Sequence, residues 1–281
     1  MARILETHDL TPVTKLFRLE APLIAAAARP GQFVMLRVRE GGERIPITIA
    51  DYDRTAGTIT IVVQAVGATT VRVDGLEAGD EILDLVGPLG SPVELPARRH
   101  VVGVGGGFGS AALLCLMREL RGKGNRTTAI VGARTRDLLI LVDELSAVCD
   151  AVEICTDDGS AGMQGFVTQR LAQMIAGHGP GRPDHVVAIG PMVMMRAVAE
   201  TTRGTGIQTL VSMDPLMVDG TGMCGGCRVI VDGVSQFACV DGPIFDAHLV
   251  DFDVAIRRNR AYAAEERAAL ERLACATAEV A

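Results

Sequence analysis

Three of the seven cysteines in this 281-residue chain, Cys224, Cys227 and Cys239, fall within sixteen residues of one another. Cys224 and Cys227 form a C-x2-C pair, and Cys239 follows after eleven residues. Two thiolates three residues apart on a tight turn can hold the same metal ion, and a later thiolate on a hairpin closes the site from another side. Gly222, Gly225 and Gly226 let the backbone bend round such a centre and aim amide hydrogens at it. Plant-type iron–sulfur spacing is C-x4-C-x2-C with one later Cys. Here Asp219 stands in the first position. Ferric iron accepts hard oxygen as well as sulfur, so Asp219, Cys224, Cys227 and Cys239 are the expected ligands of a [2Fe-2S] cluster. A zinc knuckle is the competing reading, with Asp219 fixing the turn through hydrogen bonds to the backbone. It lacks a fourth Cys or His nearby. Cys115, Cys149, Cys155 and Cys275 stand alone, and the five histidines, His178 included, are dispersed and read as surface or structural.

A second constellation is the run VVGVGGGFGS, which sets Gly105, Gly106, Gly107 and Gly109 between an apolar strand and the start of a helix. A pyrophosphate needs close backbone approach and free amides at a helix N-terminus, and glycines provide both. The spacing is not G-x-G-x-x-G, and no acidic residue stands about 20 positions on. GARTR stands there instead, with Arg134 and Arg136. They hold a 2′-phosphate or are solvated charges, and both readings stay open.

The elements that must position these residues follow from patterning. Short alternating strands broken by turns (TKLFRLEA, GQFVMLRVRE, IPITIADY, GTITIVVQAV, DEILDLVGPLG) suit an antiparallel barrel over residues 1–97. Strand and helix alternation from His100 suits a parallel α/β layer over residues 98–209, with AIVGART, VEICTDD and HVVAIG as its later strands. Near Thr209 the pattern breaks into a glycine-dense loop and hairpin, residues 210–252. Residues 253–281, rich in Ala, Glu and Arg, favour one exposed terminal helix.

Composition limits the function. With 48% apolar and 22% charged residues the chain is globular. Its net charge of −7 argues against general binding to nucleic acid or an anionic membrane surface. No apolar run of membrane-spanning length and no signal-peptide opening are present, so a cytoplasmic protein is expected.

PGQFVMLR, RIPIT, GATT, VGVGGGFG, TDDGS, AIGPMVMM and the cysteine segment occur in the order found in ferredoxin-NADP reductase-like flavoproteins with a C-terminal [2Fe-2S] segment. Over about residues 5–255 the chain resembles the electron-transfer subunit of dihydroorotate dehydrogenase. It resembles still more the small subunit of NADH-dependent ferredoxin:NADP oxidoreductase, with DGTGMCGGCRV and FACVDGPIFDAHLVDFD the most specific matches. The resemblance implies that the barrel binds FAD: Pro46, Ile47 and Thr48 against the ring and ribityl region, Val62, Val63 and Gln64 along the flavin edge, Thr69 and Thr70 on the pyrophosphate. The family's flavin motif has Arg three residues before the Ser/Thr. Here Ile45 holds that place and Arg44 precedes it. The resemblance also implies NAD(H), with NADP(H) left open by Arg134, on the glycine loop beside Asp157, Asp158, Gly190, Pro191 and Met192. Met194 and Met195 read as helix core. Hydride carriers move two electrons and iron–sulfur clusters one, so a flavin must lie between them. No second cluster motif is present, which implies a partner subunit; the resemblance implies that this partner is a larger, glutamate-synthase-like FAD/iron–sulfur protein that reaches ferredoxin in turn. The rivals are a subunit of dihydroorotate dehydrogenase or another dehydrogenase, and a zinc-stabilised binding protein without catalysis.

Overall fold

The computed structural model describes residues 1–177, 179 and 181–278. His178 and the last three residues of the expected terminal helix lie outside the described residues.

The N-terminal part holds strands β1 (Ala2–Thr11), β2 (Thr14–Glu20), β3 (Phe33–Arg37), β4 (Ile45–Asp53), β5 (Thr58–Gln64), β6 (Glu81–Ile82) and β7 (Asp84–Leu89), with helices α1 (Pro22–Ala27) and α2 (Ala68–Asp74). They form one antiparallel sheet in the order β6-β1-β2-β5-β4-β3-β7. Its two edges, β6 and β7, are consecutive in the chain, so the sheet curls into a near-barrel. Alternation decides what each face does. On β5, Ile59, Ile61 and Val63 are fully buried in the barrel core, while Val62 and Gln64 point the other way. β1 was not among the strands read from the sequence, because its apolar residues do not alternate cleanly.

The second layer contains β8 (His100–Gly106), α3 (Ser110–Gly122), β9 (Arg126–Ala133), α4 (Val142–Val148), β10 (Ala151–Thr156), β11 (Met163–Gln164), α5 (Val167–Ala176), β12 (His185–Ile189), α6 (Met192–Thr202) and β13 (Gln208–Ser212). The parallel strands run β11-β10-β9-β8-β12-β13, and every residue of the central β8 is buried, as a strand covered on both faces requires. The sequence pattern breaks later than expected: residues 208–212 complete this sheet, with Thr209 and Val211 facing inward.

Beyond it come the hairpin β14 (Arg228–Val231) and β15 (Val234–Phe237), then β16 (Ile244–Asp246), which joins the parallel sheet antiparallel to β13. The cysteine segment is wedged between the two layers. Ser91 N and Oγ donate to the Gly242 and Val240 carbonyls at 2.7 and 2.6 Å, and Cys227, Val229 and Cys239 share a core with Val104, Met195 and the barrel's Met35. The terminal segment is two helices, α7 (Phe252–Asn259) and α8 (Ala263–Ala278), rather than one. The break follows Asn259, a residue that competes with its own backbone for hydrogen bonds. No helix among the described residues is long and apolar enough to cross a membrane.

Candidate functional site

A cavity of about 740 Å³ opens between the barrel and the C-terminal edge of the parallel sheet. At its centre the chain leaves β8 through a tight turn, Gly107–Gly109, and enters α3. The glycines are there because nothing larger fits. A Cβ on Gly109 would lie 2.3 Å from the Ile189 carbonyl oxygen, and one on Gly106 2.4 Å from Met194 Sδ. Gly107, at φ +53°, differs: its Cβ would meet nothing within 4 Å. That bare, positive-φ turn at a helix start is a cradle for an anion. Beside it the buried Ser110 hydroxyl has no protein partner. Gly105 is held too closely by Ser110 for a side chain, and it does not line the cavity.

The strand ends set the rest of the wall. Arg134 follows β9, Asp157 follows β10, Gly190 and Pro191 follow β12, and all four line the cavity. Asp158 is turned away, accepting from Ser160 N and Oγ at 2.9 and 2.6 Å, which holds its carboxyl below the usual range. Met192 is buried in the core, as is Met195, whereas Met194 lines the cavity. The pairing of Met194 with Met195 as helix core therefore holds only for Met195, since adjacent helical residues point about 100° apart.

The barrel contributes Thr48, Val62 and Gln64 to the same cavity. Ile47 and Val63, one residue off in register, direct their side chains into the barrel core. Pro46 pairs with Met35 on the neighbouring strand. Arg44 is exposed, 3.8 Å from Asp84. Thr69 donates to Glu43 at 2.6 Å, and the Thr70 hydroxyl accepts from Gly67 N at 2.9 Å at the start of α2. Neither threonine is among the residues lining the cavity.

In the cysteine segment the fold brings Cys227 and Cys239 together, buried, unbonded, with sulfurs 3.2 Å apart. Burial first, then the Cys227 sulfur, push the Cys239 thiol up to about 12. Cys224 is exposed, and its sulfur accepts from Gly226 N at 3.4 Å. The Asp219 carboxylate accepts from Thr221 N and Cys224 N at 2.9 and 2.8 Å, and these backbone donors hold its pKa down. Among the described residues no three such side chains are gathered tightly enough to enclose an ion. Two pairs nevertheless exist: Cys227 with Cys239 through their sulfurs, and Asp219 with Cys224 through the backbone. Gly220 and Gly222 turn at positive φ, where a Cβ would strike Met35 and Val240.

Residues 214–251 match the family model of the iron–sulfur cluster binding domain of dihydroorotate dehydrogenase B. The dihydroorotate dehydrogenase B (NAD(+)) electron transfer subunit homolog of Thermotoga maritima is 44% identical over 256 residues, 91% of this chain and 89% of the relative. The chain belongs to the dihydroorotate dehydrogenase B electron-transfer subunit family. A probable subunit of that family from Methanocaldococcus jannaschii is 33% identical over 87% of this chain and 88% of its own. A solved chain from the NADH-dependent reduced ferredoxin-NADP oxidoreductase, reported for flavin-based electron bifurcation, superposes with TM-score 0.91 at 41% identity, covering 97% of both chains. A ferredoxin NADP+ reductase from Neisseria gonorrhoeae, with bound FAD and NADP, shares the fold at TM-score 0.57 and 18% identity, over 73% of this chain and 90% of that one.

Several residues that this family member presents to the cavity carry no motif. Thr11 and Thr14 come from the barrel's first hairpin, Phe166 from the start of α5, and Ser212 and Asp214 from the end of β13. Nothing local in the sequence marks Ser212 or Asp214.

Proposed function

We propose that this chain carries FAD and a [2Fe-2S] cluster and passes electrons between NAD(H) and a larger, glutamate-synthase-like FAD/iron–sulfur partner, as in NADH-dependent ferredoxin:NADP oxidoreductase. The observation that carries the reading is the full-length likeness to that enzyme's chain, with the paired Cys227 and Cys239 at the domain junction.

When bound, the flavin takes hydride from a nicotinamide and gives electrons up singly, which is the form a [2Fe-2S] cluster transmits. The chain's own residues do the positioning. Thr48, Val62 and Gln64 form the barrel wall for the flavin ring. The turn at Gly106, Gly107 and Gly109 receives a dinucleotide pyrophosphate, with Arg134 and Asp157 at one end and Gly190 and Pro191 at the other. Asp157 is an acceptor suited to a ribose diol and repels a 2′-phosphate, which supports NAD(H) over NADP(H). Cys224, Cys227, Cys239 and the Asp219 carboxylate would hold the [2Fe-2S] cluster, which would supply one-electron transfer at this end of the chain.

Anaerobic purification tests this directly. FAD, iron and acid-labile sulfide are expected in stoichiometric amounts, with an EPR signal on reduction by NADH. Zinc, or a colourless protein, refutes the proposal. Asp219→Ala is expected to lower cluster content, and an unchanged EPR signal removes Asp219 from the ligand set. The likeness of residues 214–251 to the dihydroorotate dehydrogenase B domain favours a second reading, in which the partner oxidises dihydroorotate. The co-purifying subunit distinguishes the two.

A further inference from the structure

We propose that Asp214 is the proton-exchange residue of the flavin site, taking up the proton that remains when a hydride's electrons leave singly. The inference rests on reading the cavity as the flavin and nicotinamide site and adds a proton route to it. A hydride is one proton and two electrons. NADH gives it up and becomes NAD+; the two electrons depart one at a time to two equivalents of a one-electron acceptor; one proton is left, because an iron–sulfur cluster carries none. That proton needs a base at the site, and in the opposite direction the same group returns it.

Among the described residues lining the cavity, only Arg134, Asp157 and Asp214 are ionisable. An arginine does not give up its proton. Arg134 and Asp157 follow β9 and β10, while Asp214 follows β13, three and four strands away. At about 4.8 Å per strand this separates them by roughly 14 and 19 Å, so Asp157 and Asp214 serve opposite ends of the cavity. Asp214 follows Ser212, the last residue of β13, and both line the cavity whose barrel wall includes Thr48.

Among the described residues the carboxyl of Asp214 has no ion pair and no hydrogen bond from another residue. Its side chain is exposed at the cavity wall, and the protein packed around it pushes its pKa up to about 6, with no charged side chain contributing. A group of that acidity accepts and releases a proton near neutral pH.

The test uses the cluster-loaded flavoprotein with Asp214→Asn and Asp214→Glu. NADH-reduced protein is mixed with ferricyanide in a stopped flow across pH. Asp214→Asn is expected to reoxidise at least tenfold more slowly at pH 7, without the wild-type rise with pH and without its solvent deuterium isotope effect; Asp214→Glu restores both. A flavin-replete Asp214→Asn protein with the wild-type rate and pH profile overturns the inference. Should that variant bind no flavin, carbon-13 NMR of the wild-type aspartate carboxyls decides. The Asp214 signal, assigned by its loss in the Asn variant, is expected to titrate differently with and without FAD, and an unmoved titration overturns the inference. A wild-type chain that takes up no FAD overturns this inference and the reading beneath it.

Discussion

Arg258 Nη2 donates to the Gly226 carbonyl at 3.3 Å, tying the last turn of α7 to the loop between Cys224 and Cys227. Arg258 has no ion-pair partner among the described residues. A cation beside the cysteines favours the more negative, reduced state of whatever they hold. Arg258→Gln is therefore expected to lower the cluster midpoint potential by a few tens of millivolts, as a unit charge roughly 10 Å away in a partly solvated setting implies. Arg258→Lys should keep most of the effect. An EPR-monitored redox titration at low and high salt checks both, with the difference shrinking at high salt.

Cys227 and Cys239 also make a prediction for the cluster-free chain. Their sulfurs need to close from 3.2 Å to about 2.05 Å to bond. Mild oxidation of that form is expected to link this pair in preference to any other, with the mass falling by two hydrogens and one cross-linked peptide appearing. Cys115 and Cys149, whose thiols burial pushes up to about 12, should stay reduced. A bond to Cys224 instead of Cys227, located by fragmentation of that peptide, would contradict the geometry.

The glycine turn separates packing from binding. Gly109→Ala drives a methyl into the Ile189 backbone and is expected to cost about 2–4 kcal/mol in urea unfolding. Gly107→Ala meets no protein atom and pays only for its positive φ, about 1 kcal/mol. Its methyl projects into open space at the turn, so the affinity for NADH should fall much more than stability does. Equal losses of both in Gly107→Ala would show that the turn serves packing alone.

His100 sits at the start of β8 with its ring nitrogens 3.1 Å from the Arg182 carbonyl and from Thr128 Oγ1. Burial lowers its pKa below 6.5. The unfolded chain then binds this proton at a higher pH than the folded one, so the histidine's contribution is fully present above about pH 6.5 and is lost as pH falls through the folded value. The urea midpoint should drop between pH 7.5 and 5.5, and less steeply in His100→Gln. An identical slope in the variant would assign the acid sensitivity elsewhere.

Much of the architecture was legible because it depends on local pattern. β5 alternates over Thr58–Ile61 and stays β-branched to Val63, β8 is a run of valine and glycine after His100, and the cysteine hairpin is bracketed by glycines. β1 and β13 were missed because their alternation is weak, and they are strands by virtue of the partners on either side. The same holds inside the site. Thr48 and Val62 were readable with their motifs. Whether Ile47 and Val63 face a ligand or the core is a matter of register, which one residue reverses.

By itself the sequence determined the chemistry available: three cysteines at fixed spacing, a glycine turn between a strand and a helix, and two sheet types in order. Those depend on residues close along the chain. Only the tertiary structure decided which of them meet. It buried the sulfurs of Cys227 and Cys239 side by side, turned the Asp219 carboxylate toward backbone amides, and set Asp214 at the opposite end of a shared cavity from Asp157. Such encounters are fixed by strand order and by the face each side chain takes, and neither is encoded in any short stretch of the chain.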